Sequence, residues 1–545
     1  MKPVLIVGAT GVFGSRLVEQ IAATKTADHI ILAGRDKTKA TALLSMLKSK
    51  NIVCSFETFD RDKPDARRLK EIAPSVVIDA AGPFQNENMQ LPQAAIDAGI
   101  DYIDLADARH FVANISKLAV GANRSGVRVI SGASSTPALS HAVLDHMVKG
   151  WQSINTILVA ISPGNRAPRG LSVIKAILSY VGKPIEVFQN GIYAPKPGWS
   201  ENQKIAISTI GIRNVALCET PDLDELCRRY NPVISAEFKA GLELGLMHHA
   251  LRLLGFLRVK NLDKFAQTIQ ILANILKPLG TDRGGMLVEA TGKDQNGTPV
   301  KARWTLVAET GTGPNVPILP ALVLLQKLQT LATGARSAAG EVAYQEIEPH
   351  LKRLNIKTTF TQTNYPTGHL FQKALGADWH KLPAVTRAVH QTAPSILLTG
   401  EANVQGADNR LGQLIAHLFG FAKQGQNLPL RTVIVQDGEF EKWTRHFPGR
   451  IMRSALGNPN AKNQTIEEHF GPFHFTLKLI ANERGIDMIP SGMKLLALPL
   501  PMFLLPKVTA TERASPDGKH LFDVDISYWP FGRLVHYQGW LKPLP

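Results

Sequence analysis

Residues 4–14 read VLIVGATGVFG, and this stretch decides the fold of the first part of the chain. The apolar run 4–7 is typical of a short strand buried on both faces of a sheet. Glycines follow it, and apolar residues then recur with the period of a helix over residues 17–21. A strand, a glycine-rich turn and a helix in this order predict a Rossmann-type dinucleotide-binding unit.

Each glycine of the turn has its own role in such a unit. Gly8 would allow the tight turn, Gly11 would let the backbone approach a pyrophosphate, and Gly14 would let the helix pack closely on the strand. The phosphates would then rest at the amino-terminal end of the helix, where backbone N–H groups are free to bind them. The residues that we predict to contact the cofactor here are Gly8, Ala9, Thr10, Gly11, Val12, Phe13 and Gly14.

The end of the second predicted strand, residues 29–33, bears on which nicotinamide dinucleotide is bound. Gly34 and Arg35 stand there, about twenty residues past the glycines, where an acidic side chain would hold the ribose of NAD. A guanidinium pairs with a 2′-phosphate, which a carboxylate would repel, so the sequence favours NADP(H) over NAD(H). Two alternatives stay open: Arg35 as an ordinary solvated side chain, and Asp36 as the ribose ligand.

A third predicted strand, residues 76–84, ends in mostly small residues. Small side chains at this point would let a cofactor lie across the carboxyl edge of the sheet. We therefore add to the predicted cofactor contacts Ala81, Gly82, Pro83 and Phe84.

Three polar residues are candidates for the chemistry. Asp107 ends a predicted strand at 102–107, whose carboxyl end faces the same crevice, and His110 follows it; we predict that both handle protons. Arg169 lies in a polar loop, residues 164–172, where its guanidinium would hold a substrate anion; an ordinary exposed arginine is the alternative.

The three cysteines form no CxxC pair and have no accompanying histidine spacing, so no metal site is predicted.

In this order, the motifs resemble the saccharopine dehydrogenase-like oxidoreductases. The segments that carry the resemblance are 8–14, 34–35, 80–84, 101–105, 132–137, 311–317 (GTGPNVP) and 334–336 (GAR). The resemblance covers roughly residues 1–345 and implies a two-domain dehydrogenase that transfers hydride to or from a nicotinamide. Members of the family act on amino-acid adducts, polyamine precursors and lipid-like enoyl compounds, so the resemblance identifies no substrate.

The last third resembles a bacterial carboxy-terminal domain of unknown function that occurs fused to such dehydrogenases. Its motifs are 370–372 (LFQ), 445–449 (RHFPG), 467–472 (EEHFGP) and 537–539 (YQG). Alternating apolar residues at 473–479 and 521–526 predict a curved antiparallel sheet with flanking helices. Such a sheet can enclose an apolar ligand, but the alternation does not distinguish a hollow interior from a filled one.

We therefore predict an α/β protein in several domains, because 545 residues exceed the roughly 250–300 that one core supports. An N-terminal Rossmann domain (1–135) is expected to precede an α+β substrate domain (136–345). A linker (346–365) then leads to a C-terminal α+β domain rich in antiparallel sheet (366–545).

The net charge of +16 comes from 61 Lys and Arg against 45 Asp and Glu. Residues 366–545 hold 19 of the basic and 14 of the acidic residues, so the excess of positive charge is spread along the chain. Because nucleic-acid binding requires a clustered basic surface, no nucleic-acid partner is expected. The amphipathic, basic stretch 243–259 leaves peripheral membrane contact open, although core packing more often explains such a helix.

Together these features predict an NADP(H)-dependent oxidoreductase that acts on an unidentified small organic or lipid-like molecule. The short apolar run at the start does not read as an export signal, so we expect a cytoplasmic protein, with membrane association left open. A homodimer is also left open. The alternatives are a non-catalytic dinucleotide-binding scaffold and a protein that modifies or binds lipids at a membrane surface.

Overall fold

The computed structural model describes residues 3–85, 88–168, 170–259, 261–365, 369–458, 464–495, 498–501, 506–529 and 531–544. These residues form three sheets, of seven, nine and eleven strands.

The amino-terminal part alternates strands with helices. Its strands are β1 (Val4–Val7), β2 (His29–Gly34), β3 (Val53–Thr58), β4 (Val76–Asp79), β5 (Asp101–Asp104) and β6 (Arg128–Ser131). Its helices are α1 (Val12–Thr24), α2 (Thr41–Ser49), α3 (Ala66–Ile72), α4 (Gln90–Ala98), α5 (Arg109–Asn114), α6 (Ala119–Arg124) and α7 (Ser140–Met147). β1, β4 and β5 are buried along their whole length, as expected for strands covered on both faces.

The middle part contains longer strands. They are β7 (Ser153–Ser162), β8 (Pro184–Gln189), β9 (Ile192–Pro197), β10 (Gln203–Ile207), β11 (Gly211–Leu217), β12 (Ser235–Ala240), β13 (Gly284–Lys293), β14 (Pro299–Ala308), β15 (Gly334–Ser337) and β16 (Lys357–Asn364). The helices are α8 (Leu171–Tyr180), α9 (Asp222–Tyr230), α10 (Gly245–Phe256), α11 (Ala266–Ile275), α12 (Leu319–Lys327) and α13 (Tyr344–Arg353).

The last part is mostly strand. Its helices are α14 (Leu370–Leu375), α15 (Ala384–Val389) and α16 (Arg410–Leu418). Its strands are β17 (Ser395–Gln405), β18 (Gly425–Asp437), β19 (Phe440–Phe447), β20 (Arg450–Gly457), β21 (Thr465–Phe470), β22 (Phe473–Asn482), β23 (Gly485–Leu495), β24 (Leu498–Pro499), β25 (Lys507–Ala514), β26 (His520–Tyr528) and β27 (Gly532–Pro543). Within the described ranges, none of the helices is long and apolar enough to cross a membrane.

The first sheet is parallel throughout, in the order β15-β6-β5-β4-β1-β2-β3. The strand order reverses between β1 and β4, and ligands bind at the carboxyl edge beside such a reversal. The predicted Rossmann fold is confirmed. One strand was not predicted: β15 pairs with β6, so this sheet takes a strand from residues 334–337 and does not end at residue 135.

The second sheet runs β10-β11-β12-β7-β13-β14-β16, and the hairpin β8–β9 joins it at β12. β7 and β12 are parallel, whereas the other pairs are antiparallel. One buried apolar cluster contains Ile6 and Leu32 of the first sheet together with Val288 and Trp304 of the second. The first two sheets therefore share a continuous core.

The linker predicted at 346–365 is not a linker. Most of it belongs to α13 and β16, and β16 pairs with β14. Ile347 and Leu351 of α13 are buried one helical turn apart, which fixes this helix on the core. Residues 357–364 read KTTFTQTN, and such β-branched and aromatic residues favour a strand. The polar composition of this stretch is that of an edge strand facing solvent.

The third sheet is antiparallel and closes on itself. β22 pairs with both β21 and β23, so ten strands form a barrel to which short β24 is added. The predicted C-terminal α+β domain rich in antiparallel sheet is confirmed. The barrel contacts the second sheet through a small cluster of Ile234, Leu397 and Val433, and Asn155 Nδ2 donates to the carbonyl oxygen of Ser395 at 2.9 Å.

Candidate functional site

The turn after β1 is shaped by its glycines. Gly8 has a φ of +75°, and a Cβ atom added to it would lie 2.8 Å from Cβ of Ala81. A Cβ atom on Gly14 would lie 2.2 Å from the carbonyl oxygen of Gly8. Both distances are far shorter than van der Waals contact, so only glycine fits at these positions. The glycines thereby bring β1, α1 and the loop after β4 into close contact.

The amino-terminal end of α1 is open at this turn. Gly11 is the N-cap residue, so no side chain bonds the first N–H groups, and the first turn has no acidic residue. Among the described residues, only the carbonyl oxygen of Gly8 comes within 4 Å of a Cβ atom placed on Gly11, at 3.2 Å. Uncapped N–H groups at the positive end of a helix dipole are the arrangement that holds a pyrophosphate in dinucleotide-binding proteins.

Arg35 and Asp36, at the end of β2, differ in what they contact. Asp36 Oδ1 accepts hydrogen bonds from the backbone N of Thr38 at 2.9 Å and from Thr38 Oγ1 at 2.5 Å. The Thr38 hydroxyl is the main reason that the pKa of Asp36 is lowered. Arg35 is exposed, and no hydrogen bond or ion pair within the described part of the chain holds it. The carboxylate is therefore committed to its own turn, whereas the guanidinium is open to a ligand.

The loop after β4 is held by a buried ion pair. Asp79 Oδ2 accepts a hydrogen bond from Arg61 Nε at 2.7 Å, and its Oδ1 accepts one from the backbone N of Ala81 at 3.0 Å. Burial raises the pKa of Asp79, and the charge of Arg61 opposes this rise. The Arg61 guanidinium also lies over the ring of Phe84, 4.5 Å from its centroid. Asp79 thus positions residues 81–84 beside Gly8.

Of the three residues predicted to carry the chemistry, only Asp107 has a described partner at the crevice. Gln85 Nε2 lies 3.4 Å from Asp107 Oδ1. Solvent reaches Asp107, but protein atoms surround it closely and this desolvation raises its pKa. His110 is exposed on α5, and no hydrogen bond among the described residues joins it to Asp107. Arg169 lies outside the described residues, so its role stays a prediction.

Tyr180 and Cys218 form a further pair beside Asp107, which the sequence analysis missed. The Tyr180 hydroxyl, at the end of α8, lies 2.7 Å from Sγ of Cys218, directly after β11, and both residues are buried. Burial raises the pKa of Cys218 to about 12 and that of Tyr180 well above its usual value, and the charge of Asp107 adds to both shifts. No sequence signal marked the pair, because Tyr180 ends an apolar helix and Cys218 belongs to no cysteine motif.

Arg109, the first residue of α5, joins the first sheet to the second at the edge of the crevice. Its Nε donates to Asp224 Oδ2 at 2.8 Å, and its Nη1 donates to the carbonyl oxygen of Glu186 at 2.8 Å. The guanidinium side chain is only 8% exposed. It therefore ties α5 to α9 and β8 and is not available to a substrate.

A fully buried polar cluster connects α7 with α9. Ser140 Oγ donates to Asp222 Oδ1 at 3.0 Å, and His141 Nε2 lies 3.6 Å from the same oxygen. Burial raises the pKa of Asp222 to about 7 and lowers that of His141 well below its usual value. Because both side chains are fully buried, the cluster has no access to a substrate and serves the packing of the two helices.

Two family models match the chain. Residues 4–145 match the saccharopine dehydrogenase NADP binding domain, and residues 382–541 match a domain of unknown function, DUF4166. Both parts of the predicted resemblance are thereby confirmed for these segments. No curated protein matches the chain.

Solved structures of dehydrogenases are similar at low identity. Saccharopine dehydrogenase (L-Glu forming) from Saccharomyces cerevisiae is 13% identical, over 66% of this chain and 100% of that one, with a TM-score of 0.46. A probable dehydrogenase from Thermotoga maritima is 9% identical, over 66% and 98%, with a TM-score of 0.33. The WlbA dehydrogenase from Thermus thermophilus, solved with NAD and alpha-ketoglutarate, is 11% identical over 44% and 73%, with a TM-score of 0.25.

Proposed function

We propose that this chain is an NADP(H)-dependent oxidoreductase that transfers hydride to or from a small organic or lipid-like substrate. The observation that carries the choice of cofactor is the contrast at the end of β2. Asp36 is bonded to Thr38, whereas Arg35 is exposed without a described partner. The match of residues 4–145 to an NADP binding domain supports the same choice.

The roles of the cofactor-binding residues follow from their places in the fold. The glycine turn and the start of α1 would hold the pyrophosphate, and Arg35 would pair with the 2′-phosphate. The segment 81–84, held by Asp79 and Arg61, would form the wall of the crevice next to Gly8. When bound, the nicotinamide supplies a ring carbon that accepts or donates the hydride.

Asp107 is our candidate for proton handling. Gln85 donates to its Oδ1, which leaves Oδ2 as the oxygen that carries a proton. Desolvation raises the pKa of this carboxyl, so it holds that proton to a higher pH than a solvated aspartate. His110 stays a candidate for relaying the proton to solvent, and Arg169 stays a candidate for holding a substrate anion.

The cofactor proposal is tested by titrating the full-length protein with NADPH and with NADH and following the cofactor fluorescence. We expect tighter binding of NADPH. Arg35→Asp should weaken NADPH binding by about 10- to 100-fold, since a charge-assisted hydrogen bond contributes about 1.5–3 kcal/mol, and should spare NADH. Lys37→Asp is the matched control, because it changes charge equally on a nearby exposed side chain. Equal effects of the two substitutions, or binding of neither cofactor, would refute the proposal.

A second function, contact with an anionic membrane surface, is favoured by one specific surface. Large apolar side chains are exposed on residues 246–259, which include most of α10, and on residues 265–279, although both segments pack beside α8. The exposed apolar residues are Leu246, Leu253, Phe256, Leu257, Val259, Phe265, Ile271, Leu272, Ile275 and Leu279. The same stretch, residues 246–279, exposes Arg252, Arg258, Lys264 and Lys277 and has one acidic residue, Asp263. This excess of positive charge complements anionic headgroups.

Sedimentation with vesicles tests this surface. We expect the protein to bind vesicles that contain phosphatidylserine, less at high salt and less with neutral lipid. Phe256→Asp should abolish binding, whereas Val120→Asp, an exposed apolar residue of α6, should not. The membrane function is refuted if the protein does not bind vesicles but forms a dimer that Phe256→Asp dissociates. In that case the surface binds a second copy of the chain.

A further inference from the structure

The barrel of the last 150 or so residues is hollow. Its interior holds a cavity of about 340 Å³, within the roughly 300–1,000 Å³ range of small-molecule sites. An engineered apolar cavity of about 150 Å³ already binds benzene. A close-packed domain leaves no such space, since protein interiors have few voids larger than a water molecule. The cavity is therefore large enough for a ligand several times the size of a water molecule.

Aromatic and aliphatic side chains form most of the cavity wall. Phe419, which follows α16, lies 5.8 Å from the ring centroid of Phe470 and 5.7 Å from that of Phe473. Phe475 and Leu477 of β22 and Phe371 of α14 also belong to the wall. A wall of this kind selects an apolar molecule, because binding it removes apolar surface from water.

Two side chains that line the cavity each carry a buried polar atom without a hydrogen-bond partner among the described residues. The atoms are Oγ1 of Thr432 and Nδ1 of His520, and the two side chains are at most 1% exposed. A buried polar group without a partner costs about 1–3 kcal/mol, so both atoms favour a ligand that bonds to them. Nε2 of His520 lies 3.6 Å from Glu512 Oε2, which favours the proton on Nε2 and leaves Nδ1 as an acceptor.

The charged side chains that line the cavity include more carboxylates than guanidinium groups. Glu512 Oε2 accepts a hydrogen bond from His390 Nε2 at 2.6 Å. Arg445 interacts electrostatically with Glu512 and lines the same cavity as Glu468. Among the described lining residues, the carboxylates of Glu468 and Glu512 outnumber the single guanidinium, that of Arg445. A ligand carboxylate would add a further negative charge to this interior, and burying a charge that is not compensated is strongly unfavourable.

We propose that the barrel binds a single uncharged amphiphile, a long-chain alcohol or another hydroxyl-bearing lipid, whose hydroxyl donates to Nδ1 of His520. The chain lies along the aromatic wall, and Thr432 offers a second hydroxyl partner further along the barrel. This site is separate from the proposed cofactor site, since its lining residues all belong to residues 371–541. It goes beyond the proposed oxidoreductase activity and does not depend on it.

The test is displacement of a neutral fluorophore, N-phenyl-1-naphthylamine, from the delipidated full-length protein by straight-chain 1-alkanols. We expect about fourfold tighter binding for each added methylene until the chain fills the cavity. At pH 7.5 the fatty acid of equal length should bind at least tenfold more weakly. A fatty acid that binds as well as the alcohol, or a fluorophore that does not bind because water alone occupies the cavity, would overturn the proposal.

Substitutions locate the site within the barrel. Ala510→Trp fills the cavity and should abolish binding, whereas Thr509→Trp, on the exposed face of the same strand, should not. His520→Phe should weaken the binding of alcohols about tenfold, since the hydrogen bond to the hydroxyl is lost. The binding of the alkane of equal length should not change. Thr432→Val should have a smaller effect of the same kind. Equal losses for alcohol and alkane would show damage to the barrel and would contradict the assigned hydroxyl contact.

Discussion

The hydroxyl of Tyr180 lies 2.7 Å from the sulfur of Cys218, although α8 and β11 are separated by three strands along the chain. Both groups are buried, and the charge of nearby Asp107 raises the pKa of each. A buried thiol with a raised pKa is a packing and hydrogen-bonding group and not a nucleophile. The pair therefore acts as a neutral, positioned wall of the crevice beside Asp107.

We expect Cys218 to resist thiol reagents in the folded protein. With a pKa of about 12, only about one Cys218 side chain in ten thousand is a thiolate at pH 8. A chromogenic disulfide reagent counts the thiols that react. In the folded state the unchanged protein and Cys218→Ser should give the same number of reactive thiols, whereas in denaturant the variant should give one fewer. Cys54, half-buried on β3, should react first. Rapid native labelling at Cys218 would contradict this assignment.

The glycine turn should not tolerate a methyl group at Gly8. Gly8→Ala combines a positive φ with a 2.8 Å approach to Ala81, so it should cost about 1–3 kcal/mol of unfolding free energy and weaken NADPH binding. Gly121→Ala on α6 is the matched control, since its added Cβ would lie 3.6 Å from Ile96 Cγ2, an ordinary van der Waals distance. Thermal unfolding and cofactor titration measure both effects. Similar behaviour of the two variants would argue against the described packing of this turn.

Asp222 should make the protein less stable as the pH rises from about 4 to 7. Burial raises its folded pKa from 3.8 to about 7, so in this window the folded chain keeps a proton that the unfolded chain releases. The stabilising effect is complete below pH 4 and lost above pH 7, with a ceiling of about 4 kcal/mol. Urea unfolding at several pH values measures the slope of the unfolding free energy against pH.

Asp222→Asn mimics the protonated side chain and should flatten this slope. Part of it should remain, because burial also raises the pKa of Asp104 to about 7. Asp97→Asn, on the surface of α4, should leave the slope unchanged. An unaltered slope in Asp222→Asn would mean that Asp222 ionises normally in the folded protein.

Arg109 and Asp224 should couple the first two sheets measurably. Urea unfolding of Arg109→Ala, Asp224→Ala and the double variant should give an interaction free energy of about 1–3 kcal/mol. Arg109→Ala should be the more damaging single change, because it also leaves the carbonyl oxygen of Glu186 without its donor. Additive effects would show that the ion pair contributes nothing to the joint between α5 and α9.

Local sequence patterns predicted the parts of the fold that depend on neighbouring residues. The turn at Gly8 and Gly14 was predictable because its strand, glycines and helix are contiguous. The pairing of β15 with β6 was not, because it depends on two segments far apart in the chain. Closure of the curved sheet into a barrel was left open for the same reason: alternation shows which face is buried, but only the pairing of β22 with β23 closes the ring.

The candidate site was predicted unevenly. Arg35 and Asp107 were found because each follows a strand of the parallel sheet, where side chains face the crevice. The commitment of Asp36 to Thr38 could have been suspected, since an aspartate often bonds the backbone two residues on. The proximity of Tyr180 to Cys218, like that of His390 to Glu512, is set by tertiary packing and leaves no local pattern.

The late arrival of β15 has a consequence for how the chain is made. Until residues 334–337 leave the ribosome, β6 stands at the border of the nascent sheet with its backbone N–H and C=O groups unpaired. An uncovered strand of this kind invites pairing with other nascent chains, so the first domain passes through an aggregation-prone interval during translation. A chain cut after α7 would keep that bare strand permanently, and its solubility would suffer even though every residue that we propose to bind the cofactor was present.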